Sequence, residues 1–259
     1  MDLDLRDNVV LVTGGSDGLG LALCEALVAE GAAVALCGRN EERLARAEAK
    51  LLAAGGEVMA RRCDVTDLAQ LEAMVAAVHD RFGRLDGLVN NAGQAAASPV
   101  VDVTEEGWER DLDLKLMAAV RLARLCCPML AASPGGSIVN VLAIAGKAPG
   151  ASSAPTSISR AAGLAFTKAL SRDIASSGIR ANAILIGLVE SGQWARLSEA
   201  AGTPLKDLYA SLATGAQIPL GRVGRAAEFA DLATFLLSPR SSYITGVGIN
   251  LDGGLSPVT

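Results

Sequence analysis

A glycine-rich turn follows the first apolar run of the chain and contains the residues best suited to bind phosphate. Its sequence is Thr13-Gly14-Gly15-Ser16-Asp17-Gly18-Leu19-Gly20. Glycines in such a turn let the chain bend tightly and let a ligand approach the backbone. The free N–H groups and positive dipole end of the following helix also favour phosphate. The pattern predicts a dinucleotide phosphate site, the alternative being a turn without a ligand, and the predicted contacts are Gly14, Ser16, Asp17, Gly18, Leu19 and Gly20.

Charged residues near the next two strands bear on the type of dinucleotide. Arg39 follows the second predicted strand, where an arginine can bind a 2′-phosphate and so favours NADP over NAD. Asp17 is an acid close to the same pocket and opposes the additional phosphate, and Arg39 could instead be a solvated loop residue. Asp64 either accepts from the adenine amino group or, like Thr66, caps the next helix, and the two roles are compatible. We expect NADP more than NAD.

Apolar stretches alternate with amphipathic stretches along the whole chain. The strand-like stretches cover residues 9–12, 33–37, 57–62, 85–89, 136–142, 179–186 and 244–251. The helix-like stretches begin at residue 19 and then cover residues 41–54, 67–82, 105–130, 157–176 and 226–237. In the second helix, Leu44, Leu51 and Leu52 are predicted to face inward. This alternation predicts a Rossmann-like α/β fold, doubly wound, with a parallel sheet and helices on both faces.

Composition excludes several classes of function. The 259 residues favour one domain, and a net charge of −5 with mixed signs argues against nucleic acid as a partner. No apolar run reaches roughly 20 residues, so no membrane partner is expected. A single histidine and five scattered cysteines without a C-x-x-C pair argue against a metal site. The acidic first residues lack the features of a signal peptide, and together with the cysteines they favour a reducing, cytoplasmic location.

Several short motifs give the chain a resemblance to one known family. They occur in the family's order and span nearly the whole chain, which makes them more specific together than alone. On these motifs the chain resembles the short-chain dehydrogenase/reductase family of single-domain type. Besides the glycine turn, the matching pieces are Asp64-Val65, Asn90-Asn91-Ala92-Gly93, Gly178-Ile179-Arg180-Ala181-Asn182-Ala183, Tyr243-Ile244-Thr245-Gly246 and Asp252-Gly253-Gly254.

The resemblance implies a single dinucleotide-binding domain over residues 1–259, with a seven-stranded sheet and a bound nicotinamide dinucleotide. Residues 188–220 correspond to the segment that covers the substrate in the family. A homo-oligomer, either tetramer or dimer, is expected, with the long helices near 105–130 and 157–176 in one interface and the last strand near another. Further cofactor contacts implied by the resemblance are Val65, Asn91, Ala92, Gly93 and, toward the ribose, Arg160.

The same comparison predicts that the four side chains of the family's chemistry are replaced. Lys115 stands where the asparagine belongs, Ala143 at the serine, Thr156 at the tyrosine and Arg160 at the lysine. A threonine hydroxyl is far less acidic than a phenol, and an arginine stays protonated. An alanine offers no donor to a developing oxyanion. Loss of a general acid and one oxyanion donor corresponds to a rate deficit of order 10⁴–10⁷.

Three functions remain open. The first is an NAD(P)-binding protein that lacks the standard carbonyl reductase activity. The second is an NADP-dependent oxidoreductase with substitute groups, for which Lys115 in a dry cleft near Arg160 is the main candidate. Lys115 could equally be an exposed helix lysine. The third is a non-redox enzyme, such as a dehydratase, cyclase or isomerase, acting on an unknown small molecule.

Overall fold

A computed structural model describes residues 2–259 and contains strands and helices in close alternation. The strands are β1 (Val9–Thr13), β2 (Ala33–Gly38), β3 (Val58–Arg62), β4 (Gly87–Asn90), β5 (Ala97–Ser98), β6 (Ser137–Ala143), β7 (Ala154–Pro155), β8 (Arg180–Ile186) and β9 (Gly248–Leu251). The helices are α1 (Gly18–Ala29), α2 (Glu41–Ala53), α3 (Leu68–Phe82), α4 (Glu105–Leu112), α5 (Ala118–Ala132), α6 (Thr156–Asp173), α7 (Gly192–Ala201), α8 (Leu205–Gly215) and α9 (Ala226–Leu237).

Seven of the strands form one parallel sheet in the order β3-β2-β1-β4-β6-β8-β9. Helices α1, α2 and α9 pack on one face, around Leu23, Leu51 and Phe229. Helices α3, α5 and α6 pack on the other face, around Leu71 and Leu122. Each of these large apolar side chains contributes about 1.5–3 kcal/mol when fully buried. The predicted doubly wound sheet with helices on both faces is confirmed.

Three local predictions need correction. Leu52 is exposed rather than inward-facing, because it lies one position, and so about 100° around the helix, from buried Leu51. The last strand covers only Gly248–Leu251, since the chain before it turns at Gly246 with φ of +69°. The long helix predicted over 105–130 is divided by a π-helical turn at Asp113–Met117.

Two further features lie outside the seven-stranded sheet. Strands β5 and β7 form a small antiparallel pair that the sequence patterns did not predict. The segment over residues 188–220 holds α7 and α8, and its own apolar cluster contains Ala213, Ile218 and Tyr209.

No helix within residues 2–259 is long and apolar enough to cross a membrane. Over the same range, no group of three or more histidine, cysteine or acidic side chains could hold a metal ion.

Candidate active site

A cavity of about 830 Å³ opens at the carboxyl edge of the sheet, where β1, β2, β4, β6 and β8 end. The chain segments that follow these strands supply most of its walls, and α7 of the 188–220 segment supplies another. Parallel sheets bind ligands at this edge. The cavity is lined by every residue assigned to the dinucleotide from the sequence, namely Gly14, Ser16, Asp17, Gly18, Leu19, Gly20, Arg39, Asp64, Val65, Asn91, Ala92, Gly93 and Arg160, and also by Ala143 and Thr156.

The glycine turn is fixed by close backbone packing. Gly14 has φ of +65° and Gly18 has φ of +52°, a region that L side chains rarely adopt. A Cβ on Gly20 would lie 2.2 Å from the carbonyl oxygen of Gly14. The amide of Asn91 donates to the carbonyl oxygens of Thr13 at 2.8 Å and Gly14 at 3.2 Å. These contacts leave no room for side chains at Gly14 and Gly20, and they bring the start of α1 to the edge of the cavity.

Two arginines pair with Asp17 at the end of the cavity where the adenosine is expected. Arg196 Nη1 lies 2.8 Å and Arg43 Nη1 lies 3.6 Å from Asp17 Oδ2, and Arg39 lines the same wall. Asp17 also caps α1 by accepting from the Gly18 N–H at 2.8 Å. The negative charge of Asp17, which would repel a 2′-phosphate, is therefore compensated by guanidinium groups. Sequence reasoning missed Arg43 and Arg196, although Arg43 stands one helical turn after Arg39.

Asp64 lines the cavity, and two hydrogen bonds from Thr66 fix its carboxylate. Asp64 Oδ1 accepts from the Thr66 backbone N–H at 3.0 Å and from Thr66 Oγ1 at 2.8 Å. The residue that caps α3 is Asp67, whose Oδ1 accepts from the Gln70 N–H at 3.1 Å. The capping role considered for Asp64 or Thr66 is therefore wrong, because the helix begins at Leu68, one residue later than predicted, and Asp67 takes the capping position.

At the opposite end of the cavity, Thr156 begins α6 and its hydroxyl group is fully engaged. Thr156 Oγ1 donates to the Ala96 carbonyl oxygen at 2.6 Å and accepts from the Ala96 N–H at 3.0 Å. It also accepts from Lys115 Nζ at 2.7 Å. Ala143, at the end of β6, adds only a methyl group to the cavity wall. Ala96, the residue just before β5, therefore fixes the Thr156 hydroxyl at this end of the cavity wall.

Arg160 lines the cavity, and one nitrogen of its guanidinium has no hydrogen-bond partner among residues 2–259. Its Nη1 donates to the Val141 carbonyl oxygen at 2.9 Å, and a Cβ on Gly93 would lie 2.8 Å from its Nη2. Arg160 Nε is buried and has no hydrogen-bond partner among residues 2–259. Burial lowers the pKa of Arg160 to about 10, which Asp111 partly opposes, so the side chain remains a cation at neutral pH.

Lys115 does not line the cavity but lies behind Thr156. It sits in the π-helical turn, its side chain is 0% exposed, and its Nζ bonds both Asp111 and Thr156. The alternative of an exposed helix lysine is therefore wrong. Burial lowers the pKa of the Lys115 ammonium, the hydrogen bond to Asp111 opposes that shift, and Arg160 adds to it. The dry environment near Arg160 expected from the sequence is present.

Sequence reasoning missed two residues of this cluster, Asp111 and Ser159. Asp111 is buried and its Oδ2 accepts from Ser159 Oγ at 2.6 Å. The signal that could have found Asp111 is its i,i+4 spacing from Lys115, which places the two side chains on one helix face. No comparable signal exists for Ser159, because its contact with Asp111 joins α6 to α4.

A seven-stranded doubly wound sheet with a glycine-lined cavity at its carboxyl edge is the architecture of nicotinamide-dependent oxidoreductases. Residues 14–256 match the family profile described as enoyl-(acyl carrier protein) reductase. The chain is 33% identical over 253 residues to the 3-oxoacyl-(acyl-carrier-protein) reductase of Vibrio cholerae, covering 98% of this chain and 99% of that protein. The chain belongs to the short-chain dehydrogenase/reductase family.

Solved structures agree with this assignment. One similar structure is an NADPH-bound short-chain oxidoreductase from Pseudomonas aeruginosa PAO1, described as containing an atypical catalytic center. It is 40% identical, with a TM-score of 0.92, over 98% of this chain and 100% of that one. Another is L-sorbose reductase from Gluconobacter frateurii, complexed with NADPH and L-sorbose. It is 32% identical, with a TM-score of 0.94, over 100% of both chains.

Proposed function

We propose that this protein binds NADPH in the cavity and lacks the standard carbonyl reductase activity of its family. The observation that carries the proposal is the state of Thr156 at the family's tyrosine position. Its hydroxyl donates to the Ala96 carbonyl oxygen at 2.6 Å and accepts from the Ala96 N–H at 3.0 Å. An aliphatic hydroxyl held in this way gives no acidic proton to a substrate.

Several features of the cavity suit NADPH. The glycine turn and the start of α1 would receive the pyrophosphate, and the turn keeps its shape only because Gly20 has no Cβ to collide with the Gly14 carbonyl oxygen. Arg39, Arg43 and Arg196 offer guanidiniums to a 2′-phosphate. The unpartnered Arg160 Nε suits an acceptor such as a ribose hydroxyl. Asp64 would accept from the adenine. Structures similar to this chain, from Pseudomonas aeruginosa and Gluconobacter frateurii, are described as NADPH-bound.

The end of the cavity near Ala143 and Thr156, called the reaction end, supports the proposed lack of standard carbonyl reductase activity. When bound, the reduced nicotinamide supplies a hydride, and the resulting alkoxide then needs a proton. Ala143 provides no donor for that oxygen, and Arg160 holds its own proton at neutral pH. Without a general acid and an oxyanion donor, standard ketone reduction is expected to be slower by a factor of order 10⁴–10⁷.

Titration by fluorescence tests the binding half directly. We predict that NADPH binds more tightly than NADH, because the arginines favour the additional phosphate. A Gly20→Ala variant should lose at least about tenfold in NADPH affinity, since the methyl group would collide with the Gly14 carbonyl oxygen and displace the glycine turn. Gly135→Ala is the matched control, because a Cβ there meets nothing within 4 Å. No affinity of the unaltered protein for either dinucleotide would reject the proposal.

A second candidate is an NADPH-dependent oxidoreductase in which Lys115 substitutes for the missing acid. The observation favouring it is the 2.7 Å hydrogen bond from Lys115 Nζ to Thr156 Oγ1, the hydroxyl that lines the cavity. In this relay the Thr156 hydroxyl hydrogen would turn from the Ala96 carbonyl oxygen to the substrate oxygen, and Lys115 Nζ would return a proton to Thr156 Oγ1 and become neutral. The description of the Pseudomonas aeruginosa structure as having an atypical catalytic center agrees with this reading.

Turnover of NADPH with a panel of 3-oxoacyl thioesters and ketose sugars tests this candidate. Both substrate types occur among similar proteins. We predict that Lys115→Ala lowers any measured rate by about 10²-fold or more, as expected for loss of a general acid. Lys50→Ala serves as the control, because Lys50 is exposed and pairs only with Glu25. An unchanged rate in Lys115→Ala would exclude the candidate.

Two further parts of the proposal concern the chain as a whole. Residues 1–259 act as one dinucleotide-binding domain. Residues 188–220 act as a lid over the cavity, which the position of Trp194 in the cavity wall supports. Tyr209 belongs to the apolar cluster within that segment and so stabilises the lid itself.

A further inference from the structure

Asp111 is a buried carboxylate with no role in the proposed function. It lies at the end of α4, is 5% exposed, and does not line the cavity. Both of its oxygens are used. Oδ1 is bonded to Lys115 Nζ, and Oδ2 accepts from Ser159 Oγ at 2.6 Å. Asp111 therefore links Lys115, in the π-helical turn, to α6. The same helix carries Thr156 and Arg160.

One cation and one anion act on the Lys115 ammonium. From α6, Arg160 faces it as a second cation, and from α4, Asp111 faces it as an anion. Asp113, on the same turn as Lys115, bonds Arg121 of α5 at 2.7 Å. Among residues 2–259, Asp111 is the carboxylate that contacts Lys115. Burial of two cations without a counter-ion is strongly unfavourable.

We propose that Asp111 is a positioning residue that holds the Lys115 ammonium against Thr156 and keeps it charged, so that the reaction end of the cavity stays cationic when NADPH binds. Ser159 supports this arrangement by fixing the second oxygen of Asp111. The proposal rests on NADPH binding in the cavity. It holds for either reaction outcome, because it concerns the charge of the site and not the identity of the substrate.

The expected change on removal of Asp111 follows from the causes of the Lys115 shift. Burial and Arg160 lower the pKa of Lys115, and Asp111 opposes them. Asp111→Asn keeps the size of the side chain and removes its charge, so the pKa of Lys115 should fall further. The variant would then lose the ammonium charge at a lower pH than the unaltered protein, and it would bind the anionic NADPH more weakly above that pH.

The experiment measures NADPH affinity by fluorescence from pH 6 to 10. In the unaltered protein we expect the affinity to fall about threefold as Lys115 loses its proton, and in Asp111→Asn we expect the midpoint of this fall at least one pH unit lower. Asp113→Asn is the matched control and should keep the original midpoint, because Asp113 pairs with Arg121 instead. Lys115→Met should leave only the fall near pH 10 that loss of the Arg160 proton causes, so the difference between this variant and the unaltered protein measures the contribution of Lys115.

A second measurement separates this inference from the proposed function. In Asp111→Asn the folded pKa of Lys115 lies below the unfolded value, so stability should rise with pH once the native lysine is neutral. The difference in melting temperature from the unaltered protein should therefore shrink between pH 6 and 9.5, while that of Asp113→Asn stays constant. If Asp111→Asn does not fold, Ser159→Ala should shift both readouts in the same direction by less.

The outcomes are distinguishable. If NADPH binds the unaltered protein but the midpoint is the same in Asp111→Asn, the inference on Asp111 is wrong and the proposed function stands. If NADPH does not bind at any pH, the proposed function fails and with it the role of Asp111 in cofactor binding. A melting difference that is constant with pH would overturn the charge-keeping role of Asp111 whatever the affinity shows.

Discussion

Asp17 shows how one carboxylate can serve both a helix and a ligand pocket. It accepts from the Gly18 N–H at 2.8 Å as the cap of α1, and its other oxygen pairs with Arg196 and Arg43. The capping bond needs only an acceptor oxygen, whereas the ion pairs need the charge. These two contributions can be separated by replacing aspartate with asparagine.

We predict that Asp17→Asn raises the ratio of NADPH to NADH affinity by about two- to fivefold. The variant keeps the cap oxygen and frees two guanidiniums for a 2′-phosphate, and partly exposed ion pairs contribute only about 0.2–1 kcal/mol. Paired fluorescence titrations with the two dinucleotides measure the ratio. Asp67→Asn, at the cap of α3 and outside the cavity wall, is the control. An unaltered ratio would show that a phosphate does not compete with Asp17.

At the scale of elements, α7 joins the lid to the glycine turn. Arg196 of α7 reaches Asp17, and a Cβ on Gly192 would lie 2.1 Å from the Asp17 carboxylate. A Cβ on Gly18 would likewise lie 3.2 Å from the Gly192 nitrogen. The first turn of the lid helix is therefore in contact with the predicted phosphate site, and its stability depends in part on one exposed ion pair.

We predict that Arg196→Gln speeds amide hydrogen exchange in residues 192–201 by up to about fivefold, because one exposed ion pair is worth up to about 1 kcal/mol. Exchange in α9 should not change. Arg172→Gln, an exposed arginine of α6 outside the lid, serves as the comparison. Equal exchange rates in α7 of the variant and the unaltered protein would mean that the ion pair does not hold the lid.

For the whole molecule, exposed apolar side chains coincide with the surfaces expected to join subunits. Met117 and Ile158 lie on or beside the long helices and are 39% and 43% exposed. Tyr243 and Val247, near the last strand, are 102% and 38% exposed. Apolar groups in these positions favour association with a second copy of the chain.

We predict a dimer or tetramer by size-exclusion chromatography with light scattering. Ile158→Glu should weaken it by more than about tenfold in dissociation constant, because an unpaired buried carboxylate costs roughly 3 kcal/mol or more. Leu52→Glu, at an exposed position of α2 on the opposite face of the sheet from the long helices, should leave the assembly intact. A monomer at micromolar concentration of the unaltered protein would contradict the prediction.

The sequence by itself determined the fold class and the site of the glycine turn. Both depend on short-range patterns, since strand and helix periods and turn glycines are set by neighbouring residues. Even so, Leu52 and the start of the last strand were wrong, because one residue of rotation or one turn glycine changes which side chains are buried. The positions of Lys115, Ala143, Thr156 and Arg160 were found only through family motifs.

The tertiary structure alone decided how charges are paired. Arg196 and Asp17 are 179 residues apart, Lys115 and Thr156 are 41 apart, and Ser159 and Asp111 are 48 apart. No local pattern encodes such contacts, because they form only when separate elements pack. The i,i+4 spacing of Asp111 and Lys115 is local, but the packing of other elements removes Lys115 from water, so its exposure could not be derived from its place on a helix.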